Sequence, residues 1–486
     1  MSDLANDNVP GNPSIQADAA ERLGTDGVGK LLLRFSIPAI TGMIVNALYN
    51  VVDRIFVGRW VNEMALGGLS LVMPLMTVSM AFAMLFGVGA ANMISMRLGQ
   101  GRKSEAENAL NHCFWLLLIS GIILMALQLI FLDPLLSILG AQQGSASLPY
   151  ARSYYLIILY GQVFLSVGFG FSHCTRAQGF PAISMISMFI GAGINFILDP
   201  LLIFVFRWGV DGAAWATIIA QLAQAIWILA FSFSKKAVIR LRLRLLQRSS
   251  PRSFKPSPGI VTQIMAFGSA QFFLQFVMSA VQLIYNTSVG RYGVASLGVS
   301  NGGDIALSGM NINGSMAMLI LMPVFGISQG AQPILGFNYG AKKFDRVFKA
   351  YRAAVVVATV ICVLGFAMTE LFPLQLVKLF APIGSPALLR FTPWAMRVMM
   401  LLLPLNGFQI ISANFFVVTG RPRTSIILSM LRQCLALIPC IFIFGRIWGL
   451  WGIVAAAPVA DGVSFVATSI MILFEMKKLR AQMATS

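Results

Sequence analysis

From Lys30 onward the chain alternates long apolar stretches with short polar breaks. A helix rises about 1.5 Å per residue, so roughly 20 apolar residues cross a hydrocarbon core. Stretches of that kind fall at roughly 33–59, 65–97, 108–132, 150–173, 182–206 and 211–233. A second set falls at roughly 261–288, 295–334, 350–374, 394–417, 424–445 and 450–475. The pattern predicts an all-α integral membrane protein with twelve transmembrane helices. The second and eighth stretches are long enough to hold two shorter elements each.

An even number of spans puts both ends on one side, and basic residues say which. The side assigned as inner carries 24 Lys and Arg, including Lys30, Arg97, Arg102, Lys343, Arg346 and Arg421, against 8 on the other. That bias predicts a multi-pass protein of the plasma (inner) membrane with both termini cytoplasmic. Composition points the same way. Hydrophobic residues make up 57% and charged residues 11%, and mean hydropathy is +0.80. Soluble domains carry about 25% charged residues, so a soluble enzyme, a disordered chain and a coiled coil are excluded. The net charge of +18 resembles a nucleic-acid footprint, but the charges follow topology and no nucleic-acid partner is expected. Segment 235–258 holds eight basic residues and no acid. It reads as a cytoplasmic connector, or more sharply as an anionic-lipid or partner-binding segment.

Residues 1–29 contain Asp3, Asp7, Asp18, Glu21 and Asp26 against Arg22 alone and read as a disordered acidic tail. They show no basic or apolar leader pattern, so no cleaved signal peptide is expected. Five cysteines lie on separate apolar runs without C-x-x-C spacing, and only two histidines, His112 and His173, occur. Neither a disulfide framework nor a zinc or haem site is expected. Both histidines lie near helix ends and read as ordinary interfacial polar residues rather than a proton relay.

The chain also repeats itself. Gly89, Gly99, Gly179 and Pro181 match Gly330, Gly340, Gly420 and Pro422 at an offset of 241. Trp208, Gly209 and Gly212 match Trp448, Gly449 and Gly452 at 240. The organisation predicted is a tail (1–29), an N-lobe of six helices (30–234), a basic linker (235–258), a C-lobe of six helices (259–478) and a C-terminal tail (479–486). Two parallel six-helix bundles typify alternating-access transporters. A channel or a receptor-like scaffold is the competing class.

Ionisable groups inside a membrane are costly and mark function. Of 17 acids, four fall inside spans: Asp53, Asp199, Asp304 and Asp461. Asn46, Tyr49, Asn50 and Asp53 follow i, i+3, i+4, i+7 and share one face of the first helix. Asn195 and Asp199 are one turn apart on the fifth helix, and Thr217 and Gln221 one turn apart on the sixth. Hard oxygens of this kind suit H+ or Na+, and two carboxylates close together in low dielectric share a proton or cation. Structural helix–helix hydrogen bonding would account for Asn195 and Thr217, but poorly for two aspartates. In the second half, Asp199 aligns with Cys440 and Thr217 with Ala457, so the set is absent there. The seventh helix instead carries Gln271, Gln275, Gln282 and Asn286, while Asp304 and Asp461 remain a runner-up cation site.

Several runs resemble the multidrug and toxic compound extrusion (MATE) family: Ile37-Pro38-Ala39, Asn46 through Gly58, Arg176-Ala177-Gln178-Gly179-Phe180-Pro181, Asn195 through Pro200, and Gln332 through Gly340. The resemblance covers about residues 30–475. It implies two six-helix lobes in a V and export of drugs or metabolites in exchange for H+ or Na+. In the branch with an N-lobe cation site, the family's site residues map onto Asp53, Asn195, Asp199 and Thr217, and a helix-bending proline onto Pro38. The branch that uses a glutamate on the seventh helix does not match, because Gln271 and Gln275 occupy that region. The resulting expectation is a non-enzymatic, monomeric antiporter of lipophilic cationic compounds. Its partners would be small molecules and lipid, and it would need no cofactor beyond H+ or Na+. Asn46, Tyr49, Asn50 and Gln275 are expected at the substrate cavity. A flippase for lipid-linked precursors is the alternative, but its pyrophosphate would call for several basic cavity residues, and only Arg54 and Arg432 fall mid-span.

Overall fold

The computed structural model describes residues 21–60, 63–138, 148–241, 257–298, 302–380 and 385–484, and only the backbone for 46–60, 63–67, 70–71, 304 and 482–484. Among the described residues every regular element is a helix. The first six spans are α1 (Val28–Trp60), α2 (Glu63–Gly99), α3 (Lys103–Ile130), the pair α5 (Leu148–Tyr160) and α6 (Gln162–Ala177), α7 (Pro181–Pro200) and α8 (Gly209–Phe233). A short α4 (Leu132–Ile138) follows α3, and a π-helical turn over Leu201–Val205 prolongs α7. The second six are α9 (Pro258–Leu297), α10 (Gly302–Gly340), α11 (Phe344–Leu371), the pair α13 (Pro386–Met400) and α14 (Leu403–Val418), α15 (Pro422–Met430) with α16 (Ile438–Trp448), and α17 (Leu450–Ala484). Here α12 (Pro373–Phe380) follows α11, and a π-helical stretch over Leu431–Leu437 joins α15 to α16.

Among the described residues ten helices are long and apolar enough to span, and the two bent pairs, each taken as one span, complete twelve. The second and eighth spans are single helices, although their length allowed a division. The breaks fall in the fourth and tenth instead, with bends of 57° and 47°. The first break is at Gly161, where a Cβ would lie 2.8 Å from Ile218 of α8, and the second precedes Pro404. At the offset of 241 Gly161 corresponds to Leu402, which lies in the second break. Backbone conformation follows the repeat as well. Left-handed residues occur at Gly101 and Lys342, at Gly179 and Gly420, and at Gly209 and Gly449. Equivalent turns in both halves require that unusual conformation, so the repeat is one of structure.

Among the described residues the apolar core divides in three. One cluster draws on both halves, including Phe35, Ile94 and Leu110 together with Ile264, Ile334 and Ala354. Those residues lie toward the end of the bundle that bears the chain termini. A second cluster, with Leu69, Leu136 and Ile158, belongs to the first half alone, and a third, with Val289, Ala306 and Ile453, to the second half alone. The lobes are therefore joined at the terminus-bearing end and separate at the other, which is a V. At the join the backbones nearly touch. A Cβ on Gly268 of α9 would sit 1.7 Å from the Leu85 carbonyl oxygen of α2, and one on Gly89 would sit 2.1 Å from the Ile264 carbonyl oxygen. Gln332 Nε2 donates to Asn92 Oδ1 at 2.6 Å, and Arg97 Nη2 to Gln263 Oε1 at 3.2 Å, both across the seam.

Residues 21–29 depart from the expected tail. Residues 21–25 are helical, and the carbonyls at the end of that turn are taken up by the other lobe. Asn338 Nδ2 donates to Leu23 O at 2.8 Å, Lys343 Nζ to Gly24 O at 2.9 Å and Arg346 Nη2 to Asp26 O at 2.5 Å. Cations at a helix C-terminus are favourable, and that order overrides the acidic composition. Arg346→Ala should cost about 1–3 kcal/mol by removing charge-assisted bonds, read as a lower Tm of the purified protein; an unchanged Tm would show the strap to be energetically idle. The connector is also less free than its composition suggests. Ala237, Val238, Ile239 and Leu241 are buried, and Gln178 Oε1 accepts from the Ile239 N–H at 3.2 Å. Residues 1–20 and 242–256 lie outside the described residues.

Candidate functional site

Asn195 and Asp199 project from the last turns of α7 and are both buried, at 1% and 0% exposure. Directly after Asp199 comes Pro200, which has no N–H to return to the preceding turn. The helix widens there into its π turn, in which the Phe206 N–H reaches back to Leu201 O. Single π turns frequently mark functional sites. The chain then reverses through Arg207 and Gly209, both left-handed. Gly212 allows α8 to lie against Leu202, where a Cβ would come within 3.0 Å of backbone. This tight return aligns Thr217 with Asn195, and Asn195 Nδ2 donates to Thr217 Oγ1 at 3.4 Å in a buried setting.

Not every residue of the expected set converges. Gln221, one turn from Thr217, turns toward the break in the fourth span, where its Oε1 would be 3.0 Å from a Cβ at Gly161. That oxygen has no hydrogen bond among the described residues. The side chains of Asn46, Tyr49, Asn50 and Asp53 lie outside the described residues, although their backbone continues α1. Pro38 lies inside α1 and the helix runs through it. Helix α1 packs along α7, where a Cβ at Gly42 would meet Met188 Sδ at 2.4 Å. On α9, Gln275 is half-buried, and Gln282 Nε2 bonds Asn286 Oδ1 at 2.9 Å.

The runner-up site takes a different form from that expected. Asp461 is buried, but Arg432 Nε donates to its Oδ1 at 2.6 Å and Asn406 Nδ2 to its Oδ2 at 3.4 Å. Its charge is already compensated, so it offers no vacant carboxylate to a cation; the Asp304 side chain lies outside the described residues. The histidines are buried rather than interfacial. His112 Nε2 accepts from the Ser257 N–H at 2.9 Å while Nδ1 faces Asn108 O at 2.7 Å, which assigns a neutral ring. His173 Nδ1 meets Arg176 Nη2 at 2.8 Å. His112 is thus occupied at the start of α9, and His173 within α6.

Two halves of six spans, joined at one end and each bearing buried polar groups, define a multi-pass membrane transporter. The MatE family model matches residues 38–201 and 270–443, and the chain belongs to that family. It is 26% identical to the multidrug export protein MepA of Staphylococcus aureus (strain NCTC 8325 / PS 47) over 449 residues, 92% of this chain and 93% of that protein. MepA of Staphylococcus haemolyticus (strain JCSC1435) is likewise 26% identical, over 91% of this chain and 93% of its own length. Among solved structures, an outward-facing multidrug resistance MATE family transporter of the MOP superfamily superposes with a TM-score of 0.85 at 25% identity, covering 95% of this chain and 98% of that one. A MATE protein in its bent conformation gives 0.85 at 25% identity, covering 96% and 98%.

Proposed function

We propose that the chain is a cation-coupled antiporter that exports drug-like, mainly lipophilic cationic compounds across the plasma membrane in exchange for H+ or Na+. The observation that carries this reading is the buried carboxylate of Asp199 beside the Asn195–Thr217 pair. A charge kept at such depth is costly and needs a use. The first and fifth of twelve spans run in the same direction. With Gly42 level with Met188, residues 49 and 53 of α1 then run level with 195 and 199 of α7. That register supports Asp53 as the second carboxylate of the site.

With the termini in the cytoplasm, as the basic residues indicate, the joined end of the V is the cytoplasmic one and the lobes open outward. Binding of H+ or Na+ from outside changes the charge between α1 and α7, and Pro38 is a weak point at which α1 can respond. Movement of α1 would reshape the N-lobe wall and release substrate outward. Inside-out vesicles loaded with ATP-free buffer test the reading. An imposed pH or Na+ gradient, applied separately, should drive uptake of a fluorescent cationic dye, and the gradient that works identifies the ion. Uptake indifferent to both gradients would defeat it. Pro38→Ala should slow turnover more than it weakens dye affinity, because it stiffens α1 and leaves the oxygens in place; equal loss of both, or of neither, would remove the hinge.

A further inference from the structure

The Arg432–Asp461 pair is placed deep in the membrane. Arg432 stands ten residues beyond Pro422 and Asp461 eleven beyond Leu450. Each is therefore roughly 15 Å along its span, near the middle of a core about 30 Å thick. Arg432 shares a helix face with the buried residues Ser425, Leu428 and Ala436, whereas Ile427, Leu435 and Phe442 form the exposed, lipid-directed stripe. Yet its side chain is 34% exposed, against 4% for Asp461. A guanidinium at this depth faces the bundle interior or a water-filled cavity, so that exposure opens inward.

The hydrogen bonding is incomplete in an informative way. A purely structural bridge would set the planar fork of arginine on the carboxylate through two parallel bonds. Here Arg432 makes one bond, through Nε, and its terminal nitrogens make none among the described residues. Asn406, buried at 7% exposure, gives Nδ2 to Asp461, but its Oδ1 has no partner among the described residues. A buried orphan acceptor is unfavourable and points to a missing donor. Gln409 Nε2 bonds the Asp461 carbonyl at 2.8 Å and fixes the backbone beneath the pair. Among the described residues the cluster thus presents two terminal guanidinium nitrogens and one amide oxygen without hydrogen bonds, beside a carboxylate that orients them. By the repeat, Arg432 aligns with Gly191 and Asp461 with Gln221, so the first half has no counterpart.

We propose that Arg432, held by Asp461 and Asn406, is an anion-recognising subsite of the C-lobe that takes the carboxylate of a zwitterionic substrate through its free guanidinium edge. It rests on the exporter reading, in which the N-lobe carries the opposite polarity. A substrate bearing both a cationic and a carboxylate group would then be gripped by both lobes, and its ester by one.

Rhodamine B and its ethyl ester differ only in that carboxylate, and fluorescence anisotropy on the purified full-length protein gives the Kd of each. Arg432→Gln should weaken the acid at least about ten-fold more than the ester, the loss expected for a charge-assisted bond. Because that variant leaves Asp461 buried without its partner, the double variant R432Q/D461N, neutral and similar in shape, is measured beside it and should show the same loss of selectivity. Asp461→Asn alone keeps the cation and removes its competitor, so acid affinity should hold or rise. Equal weakening of both dyes, no change in either, failure of the wild type to bind the acid, or loss of acid selectivity in Asp461→Asn would each overturn the subsite. Gradient-driven dye uptake is read separately: its absence with the selectivity intact would count against the exporter reading and leave the subsite standing.

Discussion

Asp199→Asn is expected to reduce gradient-driven efflux to the level of empty vesicles while protein yield and Tm stay close to wild type. The substitution keeps the shape of the side chain and its place between α7 and α8, so packing around Asn195 and Thr217 is preserved. What it removes is the charge. An amide neither takes up and releases a proton nor neutralises Na+, so the ion gradient loses its point of purchase on the lobe. Thr217→Val is a milder change, because it deletes one oxygen and leaves the carboxylate. It should slow efflux several-fold without abolishing it, in keeping with a single hydrogen bond of about 1 kcal/mol. Dye efflux at matched protein levels, with the pH and Na+ gradients imposed in turn, reads both variants. Wild-type efflux from Asp199→Asn would remove the N-lobe carboxylates from the coupling mechanism.

How much of this was legible in the sequence differs from feature to feature. Span positions follow from runs of apolar residues, which are local, and the repeat from a constant offset between glycines. The Asn195–Asp199 stripe is legible for the same reason, since one helical turn relates the two. Contacts between distant segments are not encoded in any periodicity. Nothing in the spacing of Arg346 and Leu23 announces that one binds the carbonyl of the other. Asp461 could be singled out as a costly acid, but its partner Arg432 lies on another span, and pairing depends on how the π-helical stretch Leu431–Leu437 packs on α17. Gln221 shows the opposite failure. Its spacing from Thr217 suggested a shared face, yet the bend at Gly161 opens a separate niche that receives it. Gly161 and Pro404 are the residues in the sequence that signal the two broken spans.

The seam between the lobes sets the second large expectation. Gly268→Val should abolish efflux and shift the molecule away from the closed-seam state. At Gly268 the α9 backbone lies so near α2 that a Cβ would fall 1.7 Å from Leu85 O, and this neighbour is backbone, which cannot rotate aside. Overpacking of this kind costs about 1–3 kcal/mol or more, a shift of roughly 5- to 150-fold between two states of similar energy. The penalty falls only on the state in which the seam is closed, so the open-seam state becomes dominant while each six-helix bundle keeps its own core. Gly268→Ala carries the same first atom with less bulk behind it and should give a partial shift. Nitroxide labels at Arg102 and Lys342, exposed turn residues on opposite lobes, report the change as a longer inter-label distance by pulsed electron paramagnetic resonance. Unaltered distances together with retained efflux would mean that the two lobes do not part along this seam during transport.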